Sequence, residues 1–187
     1  MLVSPRVPEN IGLTARVLKN TSFLYLSLVK PNLNRKSFEV AKRAKDVLQK
    51  AKVFESLPQA IRDSHFVFGS TCRRREYKTV YNFRQILPQI ISLASSRKVS
   101  ILFGKENFGL SREEIELCDS IFYLPANPKF SSYNLAFSVG IVCYQIFDFI
   151  QNILETTSLD LAKKKDIEAL FVFVEKSLYE NKFDTKL

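Results

Sequence analysis

Short runs rich in β-branched and aromatic residues alternate along this chain with segments of helical period, and that alternation constrains the fold more than any other feature. Leu2-Val3, FLYLSLV (23–29), HFVFGS (65–70), VSILFG (99–104) and IFYL (121–124) read as five strands, punctuated by Gly, Pro and Asn. Between them, Pro8-Glu9-Asn10 prepares a helix start, and Ile11, Leu13, Ala15, Val17 and Leu18 supply its apolar positions. Further helical patterns fall at 37–50, 57–62 and 87–94, where Pro88 suits a first turn, and a shorter one follows Ser111. Such an order predicts the α/β class, a mostly parallel sheet covered by helices on both faces.

A chain of 187 residues has room for one such domain. Its 46% apolar and 25% charged residues are those of a folded globular protein, which excludes disordered and fibrous classes. Lys and Arg number 28 against 19 Asp and Glu, and a net charge of +9 makes RNA, DNA or an acidic membrane surface the leading class of partner. Three scattered cysteines, Cys72, Cys118 and Cys143, and a single histidine, His65, build neither a disulfide framework nor a zinc site, so no metal and a reducing, cytoplasmic compartment are expected. The start, MLVSPRVPEN, has no signal-peptide pattern. The apolar stretch at 133–150 has the length of a membrane span but carries Asn134, Gln145 and Asp148. Because an aspartate at a bilayer centre costs about 3 kcal/mol, it reads as a core helix and no membrane is expected.

Three segments set Gly, Asn and charged residues beside apolar strands, where parallel sheets build their sites. In PENIGLTAR (8–16), Asn10 can cap a helix, Gly12 can admit another backbone or a ligand, and Arg16 lies more than a turn inside. In LFGKENFGLSREEIELCD (102–119), two glycines flank Lys105 and Glu106, and Ser111 with Glu114 forms a capping box; neither phosphate-loop nor dinucleotide spacing is present. The third, YLPANPKFSSYNLAFSVGIVCYQIF (123–147), leaves a strand through two prolines and reaches Asn134 at a helix start.

In this order and spacing the three segments resemble the signature motifs of the SpoU (TrmH-like) branch of the SPOUT RNA methyltransferases; the resemblance extends to FVFGSTCRRRE and to ANPKFSSYNLAFSV, which looks most like the TrmJ type. Tyr133 stands where that family more often has leucine. The resemblance covers roughly 1–152; it implies a methyltransferase domain at 1–154 and a short helical extension at 155–187, where Ile167, Leu170, Phe171, Val174 and Leu178 form one apolar side. It also implies a C-terminal deep trefoil knot and a homodimer through the knot region.

By the same resemblance, the activity is methyl transfer from S-adenosylmethionine to a ribose 2′-hydroxyl of structured RNA, with tRNA, and within it the anticodon loop, favoured over rRNA. Arg16, Asn134, Glu106 and Asn10 form the catalytic set. The cofactor would lie against Ser70, Thr71, Cys72, Phe103, Gly104, Glu106, Gly109, Leu124, Pro125, Ser132, Tyr133, Asn134 and Leu135. A guanidinium, with a pKa above about 12, is a poor base, so Arg16 is expected to orient the hydroxyl or a neighbouring phosphate. Basic residues point to the same substrate class independently: Arg73, Arg74, Arg75 and Lys78 follow a cofactor-side strand and are expected, with Arg16, to meet RNA. A catalytically silent RNA-binding protein and a nucleotide-dependent enzyme of doubly wound fold are the rivals.

Overall fold

The computed structural model describes residues 1–73, 77–157, 164–165 and 168–172. Seven strands occur among them: β1 (Leu2–Val3), β2 (Ser27–Val29), β3 (Lys52–Phe54), β4 (Phe66–Ser70), β5 (Val80–Asn82), β6 (Val99–Leu102) and β7 (Ser120–Tyr123). All of their pairings are parallel, in the orders β1-β2-β3 and β5-β7-β4-β6. The two groups meet where Leu2 bridges Phe103: the Val3 amide donates to the Phe103 carbonyl at 2.8 Å and the Phe103 amide to that of Met1 at 3.0 Å. The sheet therefore runs β3-β2-β1-β6-β4-β7-β5.

Strand residues alternate between two apolar layers, as a pleated backbone requires. Leu2, Leu28, Phe68, Phe103 and Phe122 enter one layer with residues of α1 (Pro8–Asn20), α2 (Arg35–Ala41), α3 (Lys45–Gln49), α5 (Phe83–Ala94) and α7 (Leu135–Thr157). Val3, Val29, Val67, Leu102 and Ile121 enter the other, with Leu57 of α4 (Leu57–Ile61) and Ile115 of α6 (Arg112–Glu116). Helices thus cover both faces of a parallel sheet, as the alternation predicts.

Several boundaries differ from the sequence reading, each for a local reason. Only the last three residues of FLYLSLV pair, because the chain leaves α1 through Ser22 at φ +59° and the Phe23 amide turns back to the Leu18 carbonyl. The helix expected at 37–50 breaks at Lys42, at φ +52°, into α2, a 3₁₀ turn (Lys42–Ala44) and α3. Pro88 lies inside α5, which starts five residues earlier under an Asn82–Gln85 capping box. The three-residue strands β3 and β5 carry too little pattern to be read from sequence.

Leu135–Glu155 is long and apolar enough to cross a membrane; one side of it, Leu135, Val139, Val142, Cys143 and Ile146, is buried in the first apolar layer, while Phe137, Tyr144, Ile150, Ile153 and Leu154 are exposed. The chain divides into two units, Met1–Phe149 and Ile150–Leu187. Of the amphipathic helix expected in the second, residues 164–165 and 168–172 are helical and Leu170, Phe171 and Val172 are exposed, while Ile167, Val174 and Leu178 lie outside the described residues.

Candidate active site

The three motifs meet at a line of hydrogen bonds. Asn134 caps α7, its Oδ1 accepting from the Ala136 amide at 2.8 Å, which leaves its Nδ2 to donate to Asn10 Oδ1 at 2.9 Å. Asn10 must then donate onward, and its Nδ2 reaches Glu106 Oε1 at 3.0 Å. Glu106 also accepts from the amides of Arg6, at 2.9 Å to Oε2, and Val7, at 3.0 Å to Oε1. Its carboxylate thus caps α1 from 96 residues away in the chain, an anion placed at the positive end of the helix. Burial acts to raise the Glu106 pKa, but the hydrogen bonds from Arg6, Asn10 and Val7 outweigh it and hold the carboxyl below its ordinary range.

Asn10 is therefore not the cap that its sequence position suggested. The helix begins at Pro8, so Asn10 falls in the first turn, 4% exposed, and passes polarity from Asn134 to Glu106. Of the two readings left open for Gly12, another backbone or a ligand, the structure shows the backbone. A side chain at Gly12 would meet the Ser37 carbonyl of α2 at 2.4 Å, so this glycine lets two helices touch. One at Gly104 would fall 2.1 Å from the Gly109 carbonyl carbon, so Gly104 closes the motif's own loop. Gly109, at φ +67°, has nothing within 4 Å of that position, and it alone of the three faces open space.

That space belongs to an open cleft over the ends of β4 and β6. Ser70, Thr71, Cys72, Phe103, Gly104, Glu106, Gly109, Leu124, Ser132, Tyr133 and Leu135 line it, as does Arg73; Pro125 and Asn134 do not. Lys105, noted between the two glycines, lines it as well, and so do Asn107, Phe108, Ser131 and Ser138, which carry no cofactor-side role in the sequence reading. The Arg6 and Val7 amides were also missed, since main-chain donors leave no mark in a sequence.

Apolar Phe103, Leu124 and Leu135, a hydroxyl-rich rim and the open face of Gly109 fit an uncharged nucleoside such as adenosine. Tyr133 strengthens one wall, its hydroxyl donating to the Pro125 carbonyl at 3.1 Å.

The cations are placed otherwise. Arg16 is exposed, bonds to none of the described residues, and does not line the cleft; six residues along α1 put it about 240° round and about 9 Å beyond Asn10. Arg73 is exposed, while Arg74 and Arg75 lie outside the described residues. Lys78, expected among the RNA-facing cations, instead donates to the carbonyls of Ile115, at 3.3 Å, and Cys118, just past the end of α6. Arg112 of the same helix lies over the Tyr77 ring at 5.0 Å, so residues 77–78 are stapled to α6.

A model of the SpoU rRNA methylase family matches residues 1–144. The chain belongs to that family. A Methanocaldococcus jannaschii relative, a tRNA (cytidine-2′-O-)-methyltransferase TrmJ, is 30% identical over 177 residues, covering 91% of this chain and 76% of that protein. A Haemophilus influenzae tRNA/rRNA methyltransferase is 32% identical over 167 residues, 88% of this chain and 68% of that one. Among solved structures, TrmJ from Z. mobilis superposes with a TM-score of 0.73 at 32% identity, covering 100% of this chain and 81% of its own. The hydrogen-bonded residues of the three motifs, Asn10, Glu106 and Asn134, all fall within the matched span.

Proposed function

We propose that this SpoU-family protein transfers a methyl group from S-adenosylmethionine to a ribose 2′-hydroxyl of tRNA. The observation that carries the reading is the Asn134–Asn10–Glu106 line, which ties all three motifs into a cleft suited to an adenosine moiety. The name of the M. jannaschii relative supplies the acceptor class, with the anticodon loop the favoured location and rRNA the alternative. S-adenosylmethionine brings a methyl group already made electrophilic by its sulfonium, so the chain's task is alignment and deprotonation of the acceptor.

Ser70 to Cys72, Phe103 to Glu106, Gly109, Leu124, Pro125 and Ser132 to Leu135 would hold the cofactor, mostly through main-chain groups. Glu106 is a poor proton acceptor because three donors already occupy its carboxylate and lower its pKa. It and the two asparagines keep the wall in place. Arg16, outside the cleft and unpaired among the described residues, is free to orient the hydroxyl or its neighbouring phosphate. Arg73, with Arg74 and Arg75, would bind phosphate.

The same reading includes the knot and the homodimer, and a domain border near 154. In support of the knot, β7 lies between β4 and β5, so the chain leaves the sheet from an interior strand before Asn134 returns to α1. In support of the dimer, α7 buries one side and leaves Phe137, 65% exposed, and Tyr144, 60% exposed, on another.

Mass spectrometry of nucleosides from tRNA incubated with the protein and S-adenosylmethionine tests the proposal. A new 2′-O-methyl nucleoside is expected; methylation confined to a base would refute it.

A further inference from the structure

A second cleft opens beside the first, over the end of β7, and it shares Cys72, Arg73, Leu124 and Ser131 with the cofactor-side cleft. Its remaining wall is Val80, Tyr123, Pro125, Ala126 and Pro128. We infer that this cleft receives an unpaired base of the RNA acceptor, stacked against Tyr123 and adjoining the ribose to be methylated; the inference rests on the methyltransferase reading above.

Four observations carry it. Tyr123 ends a strand whose preceding residues, Ile121 and Phe122, are fully buried, yet it is 39% exposed and its hydroxyl bonds to none of the described residues. The prolines add flat apolar surface without amide donors, which suits the face of a base. Among the described residues no carboxylate lines the cleft and Arg73 supplies its one charge, which favours a base carrying a phosphate over a cationic ligand.

The wall is also preformed. The Tyr133 hydroxyl holds Pro125, and a turn follows in which the Phe130 amide donates to the Asn127 carbonyl at 2.8 Å and the Lys129 amide to Asn127 Oδ1 at 3.0 Å. The reaction itself demands such a neighbour. The attacking oxygen must come within about 3–3.5 Å of the methyl carbon, so the base beside it needs a recess next to the cofactor. Recognition of unpaired bases on aromatic rings is the usual way that single-stranded RNA is held.

The test is the affinity of a fluorescently labelled tRNA transcript at saturating S-adenosylhomocysteine, beside calorimetric titration with S-adenosylmethionine. Tyr123→Ala removes the ring, Tyr123→Phe keeps it, and Ala126→Trp fills the recess should the first variant fold poorly. Tyr123→Ala and Ala126→Trp should weaken tRNA binding about 5- to 100-fold, the range for one lost base stack, with Tyr123→Phe within about twofold and cofactor affinity unchanged. Unchanged tRNA affinity in a folded Tyr123→Ala or Ala126→Trp protein, with the wild type methylating tRNA, overturns the inference and leaves the methyltransferase reading standing. Weakened cofactor binding with tRNA binding intact gives the cleft to the cofactor, and also overturns it. A wild-type protein that binds S-adenosylmethionine but does not bind or methylate tRNA refutes the reading underneath.

Discussion

The polar line at the motifs and the cations around the cleft are built in opposite ways. Asn134, Asn10 and Glu106 are joined to one another, over separations of 96 and 124 residues, and to the main-chain amides of Arg6, Val7, Ala136 and Phe137. Arg16 and Arg73 are exposed, and their side chains bond to none of the described residues. Groups so fully engaged hold a shape and have little capacity left for a substrate. Unengaged cations cost nothing to redirect toward an incoming polyanion. On the proposed function, the difference would give architecture to the first region and chemistry and RNA contact to the second.

The sharpest way to break that division is Arg16→Ala. Single-turnover methyl transfer to tRNA should fall about 100-fold or more, since acceptor alignment and proton removal each contribute on that order. S-adenosylmethionine affinity should stay within a few fold and the melting temperature should not move. Arg16→Lys should recover only part, because an ammonium lacks the planar two-point contact. Near-normal transfer by the alanine variant would remove Arg16 from the chemistry.

Glu106→Gln should act on the other region. A glutamine oxygen can replace one acceptor, but its NH₂ would then face an amide donor, costing about 1–3 kcal/mol. At about 2–4 °C per kcal/mol for a chain of this size, the melting temperature should drop by several degrees, and cofactor affinity with it.

Proton linkage offers a check on the same carboxylate. A carboxyl held below its ordinary pKa contributes stability that is fully present above the unfolded-state value near 4.5 and is lost as pH falls through the lower folded value. Wild-type stability should therefore decline more steeply below about pH 4.5 than that of Glu106→Gln, when followed by urea unfolding across pH. Parallel declines would show that the carboxylate is not engaged in solution.

The smallest effects should fall on Lys78 and Arg73. Lys78→Ala should cost about 1 kcal/mol of stability, the value of an ordinary net hydrogen bond, and leave the salt dependence of RNA affinity unchanged. Arg73→Ala should do the reverse, lowering the slope of log affinity against log salt by about one without altering stability. Exchange of these two signatures would return Lys78 to the RNA-facing group.

These contrasts also show what the amino-acid sequence could reveal. The parallel sheet was legible because buried strands such as HFVFGS stand out between helical patterns, whereas the cofactor-side residues were named through the resemblance of the three motifs to the SpoU family. Asn10 was misread as a cap because its actual role depends on a carboxylate contributed by Glu106, and no local pattern encodes a contact across 96 residues. Lys78 sat in a basic run that looked uniform, and only the nearby end of α6 distinguishes it from Arg73. Gly12 announced a close approach but not whether backbone or ligand made it.

Equilibrium unfolding of Asn10→Ala, Glu106→Ala and the double variant tests most directly whether the motifs are joined as described. Because the two side chains share a bond, the double variant should be less destabilised than the sum of the singles, with an interaction energy above about 0.5 kcal/mol. Destabilisations that add within about 0.3 kcal/mol would contradict the account, leaving Asn10 and Glu106 as independent neighbours.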